Sequence, residues 1–168
     1  MKVLLAAASL LVATSAFAAE SSCESMIKDI PGTYNLVKRT LTDGTVLSGK
    51  NVQGTTIFTN DGRRVTAVAI NSGKNKFSAS VQTEYSFSST KFSDALNALV
   101  LQEGSAPTVY KFNHPKTSVP IVCDNGKLII KNPPDDPLST MTFTKNGMTA
   151  VLNKGGDSGS VDVWEKVG

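Results

Sequence analysis

The sequence predicts an all-β protein: a single antiparallel up-and-down β-barrel of about eight to ten strands with one short helix. Three observations predict it. Asn-Gly and Asp-Gly pairs, which favour tight hairpin turns, recur between strand-like segments. One long segment alternates apolar and polar residues, and the charged fraction is only 18%. We expect one domain, because about 150 residues remain once an N-terminal leader is removed, enough for a single core.

The first 18 residues have the features of a secretory signal peptide. Lys2 provides a positive charge, Val3–Ala13 is an uncharged and mostly apolar run, and Ala16-Phe17-Ala18 matches the small-x-small cleavage pattern. The run is too short for a membrane anchor, which needs about 20 apolar residues. The sequence therefore predicts a signal peptide over residues 1–18 and an exported domain over residues 19–168, in the periplasm or outside the cell and without a membrane span.

The charge balance argues against a nucleic-acid partner. The chain carries 17 Lys and Arg against 14 Asp and Glu, a formal net charge of +3. Loss of Lys2 with the leader leaves 16 against 14, or +2. A nucleic-acid-binding domain is expected to carry a clustered basic face, whereas this small surplus is spread along the chain.

The mature chain contains two cysteines, Cys23 and Cys123, which we predict to form a disulfide in an oxidising compartment. The bond would tie the N-terminus to the body of the domain. A lipid-modified Cys23 is the alternative, but such a cysteine should be the first mature residue, and Ala19–Ser22 precede it. A metal site is disfavoured because neither cysteine has a C-x-x-C neighbour or a nearby His.

Four turn pairs, each flanked by strand-like residues, predict most of the strands. The turn pairs are Asp43-Gly44, Asp61-Gly62, Asn125-Gly126 and Asn146-Gly147. The flanking strands are Thr33–Leu41, Thr45–Leu47, Thr55–Thr59, Arg64–Ile70, Ile121–Cys123, Lys127–Lys131, Leu138–Lys145 and Met148–Asn153.

Two further strands are predicted from alternation alone. Residues Lys76–Ser88 have the most regular two-residue period in the chain. The apolar face of this segment contains Phe77, Ala79, Val81, Tyr85 and Phe87. The closing segment Ser160–Val167 also alternates, but Trp164 shares a face with Asp162, so no simple inside–outside assignment follows.

One segment has a helical period. An i, i+3, i+4, i+7, i+8 stripe is formed by Phe92, Ala95, Leu96, Leu99 and Val100. Ser93 is a suitable N-cap and Gly104 a suitable terminator. The pattern predicts a helix over Asp94–Gln102, whose apolar stripe would cover one mouth of the barrel as a lid or plug.

Four stretches carry motifs of a known family. Pro31–Val37 (PGTYNLV), Gly54–Ile70 (GTTIFTNDGRRVTAVAI) and Val163–Val167 (VWEKV) resemble the opening strand, an Asp-Gly-Arg hairpin and the closing strand of the bacterial lipocalin-like domain family. Asn125–Ile130 is similar to its later hairpin. The resemblance covers the first and last thirds of the mature chain and implies a calycin-type β-barrel, while Asn71–Val122 match nothing in the family.

Two positions depart from the family pattern. Tyr34 stands where many relatives have Trp, and Lys166 where many have Arg. In lipocalins such an arginine often covers that tryptophan at the barrel floor, so both partners of this contact differ here.

No combination of residues predicts a reaction. His114, the only histidine, lies among loop-forming residues without a visible partner. Gly156–Ser160 superficially resembles the nucleophile loop of trypsin-like proteases, but the chain is too short for their paired barrels, so we expect a hairpin loop. Asp135-Asp136 lacks the further oxygen ligands of a calcium loop. We therefore predict no metal and no cofactor.

The aromatic residues are the best candidates for a binding site. A barrel of this size either fills its interior with side chains or holds one small ligand. Proteins bind small molecules in apolar cavities that contain a few polar groups. The predicted ligand-binding set is Tyr34, Phe58, Tyr85, Phe87, Tyr110 and Trp164.

The leading functional hypothesis is an exported monomer that binds a small apolar or amphipathic molecule without transforming it. The first alternative is an interaction module of the envelope or the medium, with a filled barrel and an exposed apolar patch. The second alternative is an isomerase or hydrolase on the same barrel that uses His114 or a buried Glu. All three stay open at this point, because barrels of this kind host unrelated activities.

Overall fold

The computed structural model describes residues 23–72, 75–103, 106–113, 115–134, 136, 138–152 and 159–168, and only the backbone of Asn75. The signal-peptide prediction for residues 1–18 lies outside this part of the chain. A short helix, α1, occupies residues 23–28, and Gly49–Asn51 form one 3₁₀ turn. The strands are β1 Gly32–Leu41, β2 Val46–Ser48, β3 Val52–Phe58, β4 Arg63–Ser72, β5 Asn75–Phe87, β6 Lys91–Glu103, β7 Pro107–Lys111, β8 Thr117–Asp124, β9 Lys127–Lys131, β10 Leu138–Thr144, β11 Gly147–Leu152 and β12 Ser160–Lys166.

The strands close into one antiparallel barrel. Within the described chain, ten of them form a ring in the order β1, β3, β4, β5, β6, β8, β9, β10, β11 and β12, and β12 pairs with β1 to close it. β2 pairs with the second half of β1 beyond β3, and β7 pairs with β6 beyond β8. The predicted all-β, up-and-down barrel is confirmed, and the architecture is consistent with a calycin-like barrel.

The hairpins turn where the Asn-Gly and Asp-Gly pairs predict. Asn125 and Gly126 both have positive φ, 48° and 72°, between β8 and β9. A two-residue turn with this geometry matches the twist of the adjoining strands. Gly147 is required for a different reason, because a Cβ there would lie 2.1 Å from the carbonyl oxygen of Trp164 on β12.

The predicted helix over Asp94–Gln102 is wrong, because these residues belong to β6. This strand pairs with β5 along its length and with β7 and β8 on its other edge. The described chain does contain one short helix, but it is α1, which precedes the first strand.

A β-bulge explains the helical spacing in β6. Leu96 pairs with Thr83, whereas Ala98 pairs with Gln82, so Asn97 is an extra residue in the ladder. The bulge shifts the inward face by one position, from Phe92 and Leu96 before it to Leu99 and Leu101 after it. The resulting spacings of four and three residues imitate a helix.

The chain that precedes β1 covers one end of the barrel. The predicted disulfide is confirmed: Cys23 of α1 is bonded to Cys123 of β8, with 5.5 Å between the Cα atoms. β8 and β1 lie on opposite sides of the ring, so residues 23–31 cross from one side to the other. Met26 and Ile27 pack against the core and Ile30 is buried. We call this covered side the closed end.

Candidate functional site

An aromatic cluster forms the floor of the barrel beneath this covering segment. Its rings are Tyr34, Phe58, Tyr85, Phe87, Phe92 and Phe143, with neighbouring centroids 5.0–6.5 Å apart. Most pairs meet edge to face, the arrangement that the charge distribution of aromatic rings favours. The cluster makes this end of the barrel a packed core.

The two tyrosines of the floor satisfy their hydroxyl groups on the backbone. Tyr34 donates to the carbonyl oxygen of Ile30 at 2.7 Å, and Tyr85 donates to that of Thr59 at 2.7 Å. Lys166 lies with its Nζ 5.7 Å from the centroid of the Tyr34 ring and donates to the carbonyl oxygen of Asp29. A Tyr–Lys contact therefore stands where the family resemblance implies a Trp–Arg contact.

The burial of Tyr34 predicts a loss of stability in alkali. Burial raises the pKa of Tyr34 to about 12, with smaller contributions from Tyr85 and Asp29, whereas an unfolded chain ionises a tyrosine at about 10. The stability contributed by the neutral phenol is complete below pH 10 and is lost as pH rises from about 10 to about 12. We expect the free energy of unfolding, measured with urea, to fall through this window.

Tyr34→Phe provides the control for this alkaline effect. The variant keeps the ring and removes the ionisable hydroxyl, so its free energy of unfolding should fall less steeply over the same window. Equal slopes for the two proteins would contradict the role given to Tyr34. Tyr85, whose pKa burial also raises, contributes to the slope that remains.

A cavity of about 1550 Å³ occupies the barrel interior beyond the aromatic floor. Phe58 and Trp164 lie at its boundary. Its apolar wall includes Val68, Ile70, Val81, Leu96, Leu99, Leu101, Leu138, Met141, Met148 and Leu152. Its polar wall includes Arg39, Thr56, Arg64, Thr66, Thr83, Asp94, Glu103, Asp136 and Asp162.

Strand parity brings these side chains inward. On β5, Phe77, Val81 and Tyr85 face the interior, as their alternation predicts. On β12 the apolar residue Val161 faces outward, whereas Asp162 and Trp164 are buried inward. A charged residue on the inward face requires a partner inside the barrel.

That partner is Arg39 on β1. Its Nε and Nη2 donate to the two carboxylate oxygens of Asp162 at 2.7 and 2.6 Å, a bidentate pair buried between the paired strands β1 and β12. A bulge between Leu36 and Lys38 changes the inward phase of β1 and turns Arg39 toward the interior. Each group of this pair has its charge satisfied by the other.

Arg64 on β4 forms a second, much looser pair. Its Nη2 lies 3.8 Å from an oxygen of Asp94 on β6, beyond hydrogen-bond distance, and its Nη1 donates to the Met141 sulfur at 3.5 Å. Its guanidinium carbon lies 5.8 Å from the centroid of Phe58. Burial lowers the pKa of Arg64, against the opposing charge of Asp94, but an arginine stays protonated at physiological pH.

Asp94 is the acidic partner in this looser pair. Burial raises the pKa of its carboxyl group, against the effects of Arg64 and of Thr117, whose hydroxyl donates to it at 3.3 Å. Asp136 and Lys116 contribute further charge from the loops beside β10 and β8.

Three residues that line the cavity each have a buried polar atom with no hydrogen-bond partner among the described residues. The atoms are Arg64 Nε, Thr83 Oγ1 and Trp164 Nε1. Buried polar groups in folded proteins nearly always have a partner, in the protein or in ordered water, so the hydrogen bonding of these three cavity-lining residues is incomplete within the described chain.

The six predicted ligand-binding residues separate into three groups. Phe58 and Trp164 line the cavity, and Phe58 also belongs to the aromatic floor, which contains Tyr34, Tyr85 and Phe87. Tyr110 lies on β7 with 45% of its surface exposed, stacked on Phe112 outside the cavity lining. Contact of any of the six with a ligand stays a prediction.

Neither of the two Arg–Asp pairs was predicted from the sequence. For Arg64 a signal exists: it alternates in phase with Thr66, Val68 and Ile70, the face of β4 that lines the cavity. An arginine in phase with an inward apolar face is the pattern of a buried cation.

Several other candidates lie outside the described chain. They are His114, Asp135 and residues 156–158 of the Gly/Ser loop. Of their neighbours, Asp136 and Gly159 line the cavity. Across the described ranges, no three His, Cys, Asp or Glu residues come together in a way that would hold a metal ion. In that same part of the chain, no helix combines the length and apolar character needed to cross a membrane.

No protein-family model, curated protein or solved structure matches this chain. The cavity and its polar groups therefore supply the observations from which a function is argued.

Proposed function

We propose that the protein is an exported carrier that binds one small amphipathic molecule inside a lipocalin-like barrel and does not transform it. The observation that carries the proposal is the cavity of about 1550 Å³, with an apolar wall and a few buried polar groups. Small-molecule sites have this composition, and their volumes are commonly about 300–1,000 Å³. The cavity is large enough for a ligand of that size.

Export and the lipocalin-like assignment rest on separate observations. The Cys23–Cys123 disulfide is typical of proteins in oxidising compartments, and the leader over residues 1–18 has the form of a signal peptide. The closed ten-strand ring supports a lipocalin-like barrel, as does the contact of Lys166 with Tyr34 at its floor.

The interior weighs against the alternative of an interaction module, which predicts a filled barrel. The aromatic floor fills only the closed end, while the middle strands surround open volume. A folded domain without a ligand would gain stability from filling that volume with side chains, because contacts forfeited around voids are costly.

Two tryptophans placed in the cavity are expected to abolish binding. Val81 and Leu99 are directly paired across β5 and β6 and both line the cavity. In the double variant Val81→Trp with Leu99→Trp, the indole rings occupy the ligand volume. We expect the affinity for decanol, a neutral amphipathic probe, to fall by about tenfold or more in titration calorimetry.

The neighbouring cross-strand pair provides a matched control. Gln82 and Ala98 are paired one position along the same strands and do not line the cavity. The variant Gln82→Trp with Ala98→Trp should bind decanol as the unaltered protein does. Equal loss of binding in both variants, or failure of the unaltered protein to bind decanol, decanoate and decyl phosphate alike, would contradict the proposed site.

A further inference from the structure

We propose that the ligand is an amphipathic oxyanion and that Arg64 receives its anionic head group beside the aromatic floor. This inference rests on the proposed function and adds to it the ligand's chemical class and its orientation in the barrel. A carboxylate and a phosphate monoester share the chemistry that Arg64 would recognise, so both head groups are compared in the experiment below.

The first support is the state of the Arg64 guanidinium. The side chain is 11% exposed, yet its nearest partners among the described residues are a sulfur acceptor at 3.5 Å, a carboxylate at 3.8 Å and an aromatic ring. A guanidinium carries five N–H donors arranged for bidentate contact with an oxyanion. A charge this deeply buried is costly unless it is paired and hydrogen-bonded. An oxyanion brought by the ligand would satisfy it.

The second support is the contrast with Arg39 in the same cavity. Arg39 is saturated by Asp162 through two bonds of 2.7 and 2.6 Å, so the barrel is able to pair an arginine fully. Arg64 and Asp94 line the same cavity, but their closest charged atoms stay 3.8 Å apart. The Arg39–Asp162 pair links two strands, whereas the Arg64–Asp94 pair leaves N–H donors of Arg64 for another acceptor.

The third support is the arrangement of apolar residues beyond Arg64. On β4, Arg64 is followed on the inward face by Thr66, Val68 and Ile70. On β6, Asp94 is followed by Leu96, Leu99 and Leu101. These strands both flank β5 and run in the same direction, so their apolar residues form a band between Arg64 and Asp94 near the floor and the polar residues Ser72 and Glu103 at the other end of the strands. A head group at Arg64 places an alkyl tail along this apolar wall.

Asp94 is expected to compete with the ligand for Arg64. Its carboxylate is the nearest negative charge to the guanidinium, and Asp136 adds a second negative charge nearby. Removing the charge of Asp94 should therefore strengthen the binding of an oxyanion. A neutral ligand gains no comparable advantage, because Coulomb interactions act on its uncharged head group only weakly.

The experiment compares Arg64→Gln with Arg63→Gln. Arg63 is the preceding residue on β4, with a side chain 73% exposed, so it controls for loss of one positive charge. Binding of decanoate, decyl phosphate and decanol is followed by calorimetry and by the fluorescence of Trp164, the only tryptophan, which lines the cavity. Arg64→Gln should lower the affinity for decanoate or decyl phosphate by about 10- to 100-fold, while Arg63→Gln should leave both affinities unchanged.

Decanol and Asp94→Asn keep the test decisive. Decanol should bind the unaltered protein and Arg64→Gln equally, which also shows that the variant is folded. Asp94→Asn, which retains Arg64, should bind an oxyanion more tightly than the unaltered protein does. The inference would be overturned if Arg64→Gln bound the two anions as tightly as the unaltered protein does, or if Asp94→Asn did not bind them more tightly. In either case, binding of decanol would still support the carrier. Failure of all three probes would overturn the carrier itself.

Discussion

Replacing Asp162 with Ala is expected to destabilise the barrel by about 3–5 kcal/mol, because removing one partner of a buried ion pair leaves the other charge unpaired. Asp162 is 2% exposed and binds Arg39 through two hydrogen bonds across the pairing of β1 and β12. These are the strands that close the ring. The variant leaves an uncompensated guanidinium facing the interior at the seam of the barrel. The free energy of unfolding, measured with urea, gives the result.

The double variant Arg39→Met with Asp162→Leu separates charge from packing. It removes both charges and keeps side chains of similar size, a replacement that is often neutral or stabilising in buried pairs. We expect the double variant to recover most of the stability that Asp162→Ala loses. A loss below about 1 kcal/mol for the single variant, as for an exposed ion pair, would contradict the structural role of this pair.

Replacing both cysteines with Ser should cost about 4–5 kcal/mol of folding free energy in the chain-entropy model. Cys23 and Cys123 are separated by 100 positions, so the bond removes the entropy of a long loop from the unfolded chain. It also fixes the segment that crosses the closed end, which carries the carbonyl group of Ile30 bound by Tyr34. Urea denaturation of the double variant under non-reducing conditions measures the loss.

The unaltered protein in reducing agent provides the control for this change. Reduction breaks the same bond without altering the sequence, so the reduced protein and the Cys→Ser double variant should unfold at similar urea concentrations. A variant as stable as the oxidised protein would show that the covering segment is held by its side-chain packing alone.

The fold was largely predictable because local signals agree with it. Gly62, Asn125 and Gly126 have the positive φ values that tight turns need, and the alternation of Lys76–Ser88 lies within β5 for all but its last residue. The two cysteines were sufficient to predict the disulfide. Turn pairs and alternation depend on a few neighbouring residues, and the disulfide depends on the presence of two cysteines. These features can therefore be recognised in the sequence without knowledge of the fold.

The misassigned helix shows where local periodicity fails. A bulge at Asn97 inserts one residue into β6 and moves the inward phase, which converts a period of two into spacings of four and three. The bulge is defined only by the pairing of β6 with β5, so it depends on a partner strand that a local pattern does not contain. The real helix, α1, ends before any strand begins and depends on the disulfide and the closed end for its packing.

The sequence predicted a binding cavity inside the barrel but not the charged residues that line it. Aromatic residues were the expected lining, but most of them form the floor, and Tyr110 is half exposed on β7. The charged residues of the cavity were missed because each needs a partner far along the chain. Arg39 and Asp162 are separated by 123 positions, and the bulge that turns Arg39 inward follows from its pairing with β12.

The central claim, that the barrel interior is the binding site, is tested most directly by methyl NMR during a titration with decanol and decanoate. Met141, Met148 and Leu99 line the cavity, while Ile57, Val65 and Val122 are exposed outside it. We expect the methyl signals of the first three to shift in a saturable, one-to-one manner and those of the last three to stay in place. Shifts confined to Ile57, Val65 and Val122 would place the ligand on the outer surface and contradict the claim.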